Sequence, residues 1–100
     1  VATQSLMLMN SDFVLAMSTT MAQRLIADRP DQPRDQLKWG WELAFGRQPT
    51  AAQLARADDF LKNQTKAFTD REPNNAKVHQ AALATYCQAL LGSNRFLYIE

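Results

Sequence analysis

The sequence predicts an all-α domain, a compact bundle of four main helices with a short opening helix and a packed aromatic C-terminal tail. Three observations carry this expectation. Apolar residues recur at intervals of three and four rather than alternating. Pro30 and Pro33 in the polar run Asp28 to Gln36, Gly46 with Pro49, Pro73 before Asn74 and Asn75, and Gly92 punctuate the chain between those periodic stretches. The chain has 100 residues, 46% of them apolar, enough for one core and too few for two domains.

Gln4 to Met9 reads as the short opening helix, after which the side-chain oxygens of Asn10 and Ser11 are placed to cap a helix from about Ser11 to Asp28. On a wheel of 100° per residue, Phe13, Val14, Met17, Met21 and Leu25 share one face of that helix. Leu15, Ala22 and Ile26 fall on an adjoining face, so the helix needs neighbours on more than one side.

A second helix, about Arg34 to Phe45, gathers Leu37, Trp41, Ala44 and Phe45 and turns Trp39 and Leu43 to nearly the opposite side. Two indoles two positions apart cannot enter one core. Trp41 is expected to be the buried one, and Trp39 to face a second contact surface, a terminal segment or solvent. Gly46 suits the left-handed backbone of a helix C-terminus.

Thr50-Ala51-Ala52-Gln53 has the form of a capping box, in which the threonine oxygen accepts the amide of residue 53 and the glutamine side chain reaches back to the amide of residue 50. The helix it opens carries Leu54, Ala57, Phe60, Leu61 and Phe68 on one stripe and charged residues opposite. Asp58 and Lys62, acid before base at a spacing of four, add about 0.3 kcal/mol.

The stretch Thr69 to Lys77 is polar and reads as a mobile loop. The last long helix, about Asn75 to Leu91, brings Val78, Ala82, Leu83, Tyr86, Ala89 and Leu90 to one face with His79 among them, and alanines cover much of the rest. It is the expected central helix. Past Gly92, Ser93 and Asn94 can cap a final turn that carries Phe96, Leu97, Tyr98 and Ile99, bulky groups that need burial.

Charge and composition exclude several function classes. Eleven basic and ten acidic side chains leave a formal charge of +1, spread evenly, which gives no footprint for nucleic acid or an anionic membrane. No apolar run approaches the ~20 residues of a membrane span. Arg24, Arg29 and Arg34 are interleaved with Asp28, Asp31 and Asp35, and the isolated glycines form no phosphate-binding loop. The opening Val1-Ala2-Thr3-Gln4 has no initiating methionine and no signal peptide, so residues 1–100 read as a single domain excised from a longer chain.

No catalytic, cofactor-binding or metal-binding residue stands out. His79 and Cys87, the one histidine and the one cysteine, are eight residues apart on a helix, ~12 Å, too far to share a metal or pass a proton. Each reads as structural, Cys87 as a small buried hydrophobe. Asp58 and Asp59 point ~100° apart and belong to a solvated face. Met7, Met9, Met17 and Met21 are explained by packing rather than by a soft metal. The feature closest to function is apolar surplus, and Trp39, Leu43, Phe96 and Tyr98 form the candidate interaction surface.

Three motifs, in order, add a resemblance: Gln4 to Val14 (QSLMLMNSDFV), Ala44 to Thr50 (AFGRQPT) and Ala89 to Glu100 (ALLGSNRFLYIE). Together they resemble the end of a planctomycete domain of unknown function, the PSD domain, which closes large secreted proteins that begin with a cytochrome c module. The chain departs from the family pattern at Gly92, where asparagine is usual, and at Arg95, where glutamate is usual. The resemblance implies the helical C-terminal portion of a much larger extracytoplasmic protein, with any haem in an upstream module and none in this fragment. It brings no catalytic residue with it. The expected function is therefore a non-catalytic structural or interaction module that contacts neighbouring domains or an unidentified protein partner. The competing expectation is an accessory part of an enzyme acting on complex carbohydrate or coupled to cytochrome c electron transfer, with its catalytic residues outside these 100.

Overall fold

The computed structural model describes residues 12–93, which form four helices and no strand. These are α1 (Asp12–Asp28), α2 (Pro33–Phe45), α3 (Ala51–Arg71) and α4 (Val78–Ser93). The fold is the all-α bundle that the periodicity predicts. The opening segment Gln4 to Met9 and the tail with Phe96 and Tyr98 lie outside the described residues.

Local chemistry sets most of the helix ends. Asp12 places a carboxylate in the first turn of α1, where it favours the helix dipole. Pro33 opens α2 at a position whose amide would have no helical partner, and Asp31 takes up a left-handed conformation (φ 58°) in the turn before it. Gly46 ends α2 at φ 72°, its amide donating to the Glu42 carbonyl at 2.8 Å. The capping box is complete: the Gln53 amide donates to Thr50 Oγ1 at 3.1 Å and the Thr50 amide to Gln53 Oε1 at 2.9 Å.

Two ends differ from the sequence expectation. α3 runs on to Arg71, so the connection is shorter than Thr69 to Lys77. Its turn is held by the Asn75 amide on the Glu72 carbonyl and by Asn75 Nδ2 on Glu72 Oε1, both at 3.0 Å. α4 begins at Val78 rather than Asn75 and carries on through Gly92 to Ser93. A glycine costs a helix only about 1 kcal/mol and does not by itself stop one.

α4 is the central helix, as its alanine content predicts, with its most extensive contacts to α1 and α3. Leu25, Leu37, Leu83 and Cys87 are fully enclosed, and burying each leucine contributes about 1.5–3 kcal/mol. The stripe α1 gives to this core is rotated from the expected one. Val14, Ser18, Ala22 and Leu25 are buried, whereas Phe13 is 62% exposed and Leu15 49%. The small side chains win because Ser18 and Ala22 let α1 approach α4 closely, next to Ala82. Ser18 is no polar intruder there, since its hydroxyl donates to the Val14 carbonyl at 2.7 Å.

α2 crosses the bundle at Gly40. A β-carbon there would stand 3.0 Å from Leu25 Cδ1 and 3.4 Å from a Tyr86 ring carbon, so only glycine admits these neighbours without displacement. The buried positions of α2 are Gln36, Leu37 and Gly40. Neither indole is fully buried, which corrects the expectation for Trp41. Both tryptophans are half-buried and pack against the core from two sides of the helix.

Candidate functional site

Four surfaces carry the side chains that sequence reasoning singled out. The largest is an open groove of about 580 Å³ between α1 and α2, closed at one end by Leu91 of α4. Phe13, Met17 and Met21 form its α1 wall and Leu43 its α2 wall, with Arg24 at the rim. Rotation of the core stripe onto Val14, Ser18 and Ala22 is what leaves Phe13 and Met17 free to line this groove. Leu43 is 36% exposed on its α2 wall.

Trp39 lies beside that groove in a different chemical setting. Its Nε1 donates to Asp28 Oδ2 at 2.9 Å, and the guanidinium groups of Arg29 and Arg24 sit 4.9 Å and 5.6 Å from its ring centroid. The indole hydrogen bond, then the two arginines, hold the Asp28 carboxyl below the ordinary aspartate value. Trp39 also lines a polar cleft with Asp35, Lys38, Glu42 and Gln48, whose last two side chains are hydrogen-bonded to each other. Arg24 is thus the link between the Trp39 cluster and the apolar groove.

A polar seam missed by the sequence reading runs through Gln36. This residue is 1% exposed, and its Nε2 donates to the Arg29 carbonyl at 2.9 Å. A carbonyl only accepts, which fixes the amide orientation and leaves Gln36 Oε1 as the acceptor for His79 Nε2 at 2.7 Å. His79 is therefore the tautomer protonated at Nε2, and partial burial lowers its pKa below 6.5 by desolvation. The seam ties the α1–α2 turn to α4. Its only sequence signal was a glutamine on the face of α2 that holds Leu37 and Gly40.

His79 borders a shallow groove with Pro33, Lys62 and Lys66. Both lysines are committed within α3, Lys62 to Asp58 at 3.0 Å and Lys66 to Asp70 at 2.8 Å. Cys87, two turns further along α4, is in the core, its thiol pushed up to about 12 by burial. Among the described residues, no three histidine, cysteine, aspartate or glutamate side chains are grouped to hold a metal, and no helix is long and apolar enough to cross a membrane.

The fourth surface lies between α2, α3 and α4. Trp41, Phe45 and Phe60 line it with Leu90 and Ser93, the Trp41 and Phe45 ring centroids 4.8 Å apart. Trp41 Nε1 is buried here with no hydrogen-bond partner among the described residues.

A family model described as PSD1, protein of unknown function (DUF1553), matches residues 1–61. The chain belongs to this family. The PSD1 match takes in α1, α2 and the first half of α3, and so every residue lining the α1–α2 groove except Leu91. No curated protein and no solved structure matches the chain.

Proposed function

We propose that this PSD1 domain is a non-catalytic interaction module whose α1–α2 groove receives an apolar segment of a neighbouring domain in a large extracytoplasmic protein. The observation that carries this reading is the groove itself, with Phe13 62% and Leu43 36% exposed on facing walls. Isolated exposed apolar residues are ordinary, but two facing walls of them around a concavity mark a surface awaiting a neighbour. Burying Phe13 and Leu43 on docking would contribute about 1–2 kcal/mol each before the loss of motional freedom is set against it. The ionisable groups near the grooves are engaged with one another, as in Asp28 with Trp39 and Arg24, or Lys62 with Asp58. The resemblance to planctomycete secreted proteins supports the extracytoplasmic setting and a haem confined to an upstream module.

A photoreactive side chain in place of Leu43, introduced into the parent polypeptide, tests the proposal. The expected product is a cross-link to an apolar segment of the same parent or of a protein bound to it. Absence of any cross-link, with Leu43→Glu leaving both parent stability and assembly unchanged, would refute the docking role. Oligosaccharide or cytochrome c titrations that shift resonances around ionisable side chains would instead support the accessory-enzyme reading.

A further inference from the structure

The α1 wall of the α1–α2 groove is a helix face in regular register. Phe13, Met17 and Met21 stand one turn apart, and Ala16, Thr20 and Arg24 stand one turn apart in the next row. The large row is a ridge and the small pair Ala16 and Thr20 a furrow beside it, along about 16 Å of helix from Phe13 to Arg24. Among the described residues lining the groove, Arg24 is the one with a charge. We infer, resting on the docking role proposed above, that the occupant is an amphipathic α-helix of about three turns. Its apolar side faces α1 and Leu43, and it bears a carboxylate at the Arg24 end.

Backbone pairing, packing and charge choose this occupant. From Met17 to Arg24 the wall is the interior of α1, whose amides and carbonyls are already bonded within the helix. An extended segment laid along it would bury its own N–H and C=O groups without partners, whereas a helix brings apolar side chains with its backbone satisfied. The ridge and furrow suit such a helix. Its large side chains enter over Ala16 and Thr20, while Phe13, Met17 and Met21 fit between its own rows, the methionines having the torsional freedom to adjust. Charge sets the direction. The Arg24 side chain is 58% exposed, and Asp28 Oδ2 meets it at Nε, at 3.3 Å. An exposed pair of this kind is weak, and the guanidinium fork has further N–H donors for a carboxylate of the occupant.

Photoreactive side chains in place of Phe13 and, separately, Met21 in the parent polypeptide test it, with the captured residues mapped by mass spectrometry. These positions are about 12 Å apart along α1. The expected captures fall in one segment outside this domain, about eight residues apart as on a helix. Captures about four residues apart mark an extended strand, and overturn the inference while the docking role stands. Arg24→Glu should lower the yield at Met21 about fivefold or more, and Arg24→Lys by less, with helix content unchanged in both. An unchanged yield in Arg24→Glu overturns the carboxylate. No capture at either position, or capture confined to residues 1–11 of the same chain, overturns the docking role and the inference with it.

Discussion

The Tyr86 hydroxyl donates to the Leu37 carbonyl at 2.9 Å, joining α4 to the interior of α2 one turn before Gly40. Both residues are buried, and burial raises the phenol's pKa well above its ordinary value of 10, so the group is a neutral donor throughout the working range. Tyr86→Phe keeps the ring against Phe60, 6.5 Å between centroids, and removes only this bond. The expected loss is about 1 kcal/mol in a urea titration with unchanged slope. No change in midpoint would mean that the bond adds nothing over water.

The same crossing makes Gly40 a packing residue. Gly40→Ala gains about 1 kcal/mol of helix propensity, but it brings a methyl group 3.0 Å from Leu25 Cδ1, and Leu25 is fully enclosed with nowhere to move. The overpacking term should prevail, with a net loss of about 1 kcal/mol in chemical denaturation and a larger loss for Gly40→Val. A stabilised alanine variant would show that the α1–α2 contact yields readily.

How far these features were legible in the sequence depends on their range. The capping box at Thr50, the left-handed Gly46 and the Asp58–Lys62 pair depend on residues at most four apart, and the structure has all three. The face of α1 depended on which neighbour it met. A hydrophobicity wheel ranks Phe13 and Met17 above Ser18, yet close approach to an alanine-bearing helix selects Ser18 and Ala22. The helix wheel turned Leu43 and Trp39 away from Leu37 alike. The hydrogen bonds of Trp39, Gln36 and His79 did not follow from it, because the partners lie 11 residues away for Trp39, 7 for Gln36 at Arg29, and 43 between Gln36 and His79. Periodicity carries no information about pairs of that kind.

His79 makes stability depend on pH in a definite direction. Its folded pKa lies below 6.5, so between the two values the unfolded chain binds the extra proton. The contribution of neutral His79 is fully present above 6.5, declines as pH falls through that value, and levels off below the folded pKa. The urea midpoint should therefore fall between pH 7.5 and pH 5. His79→Gln, which keeps an N–H for Gln36 Oε1 and cannot titrate, should flatten that part of the profile. An identical slope in the variant would assign it to other groups.

Cys87 offers a reporter of the core's opening. It is fully enclosed and its thiol is pushed up to about 12, so at pH 8 almost none is thiolate and a thiol reagent has no access in the folded state. Labelling must wait for unfolding. For a domain stable by about 5 kcal/mol it should be slower than in urea by a factor of about 10³ or more. Tyr86→Phe sharpens the test. If Cys87 is reached only by global unfolding, a loss of about 1 kcal/mol should speed labelling about fivefold, matching the urea titration. If the rate does not respond, α4 opens locally around Cys87 without breaking the Tyr86–Leu37 link, and the central helix is not one cooperative unit with α2.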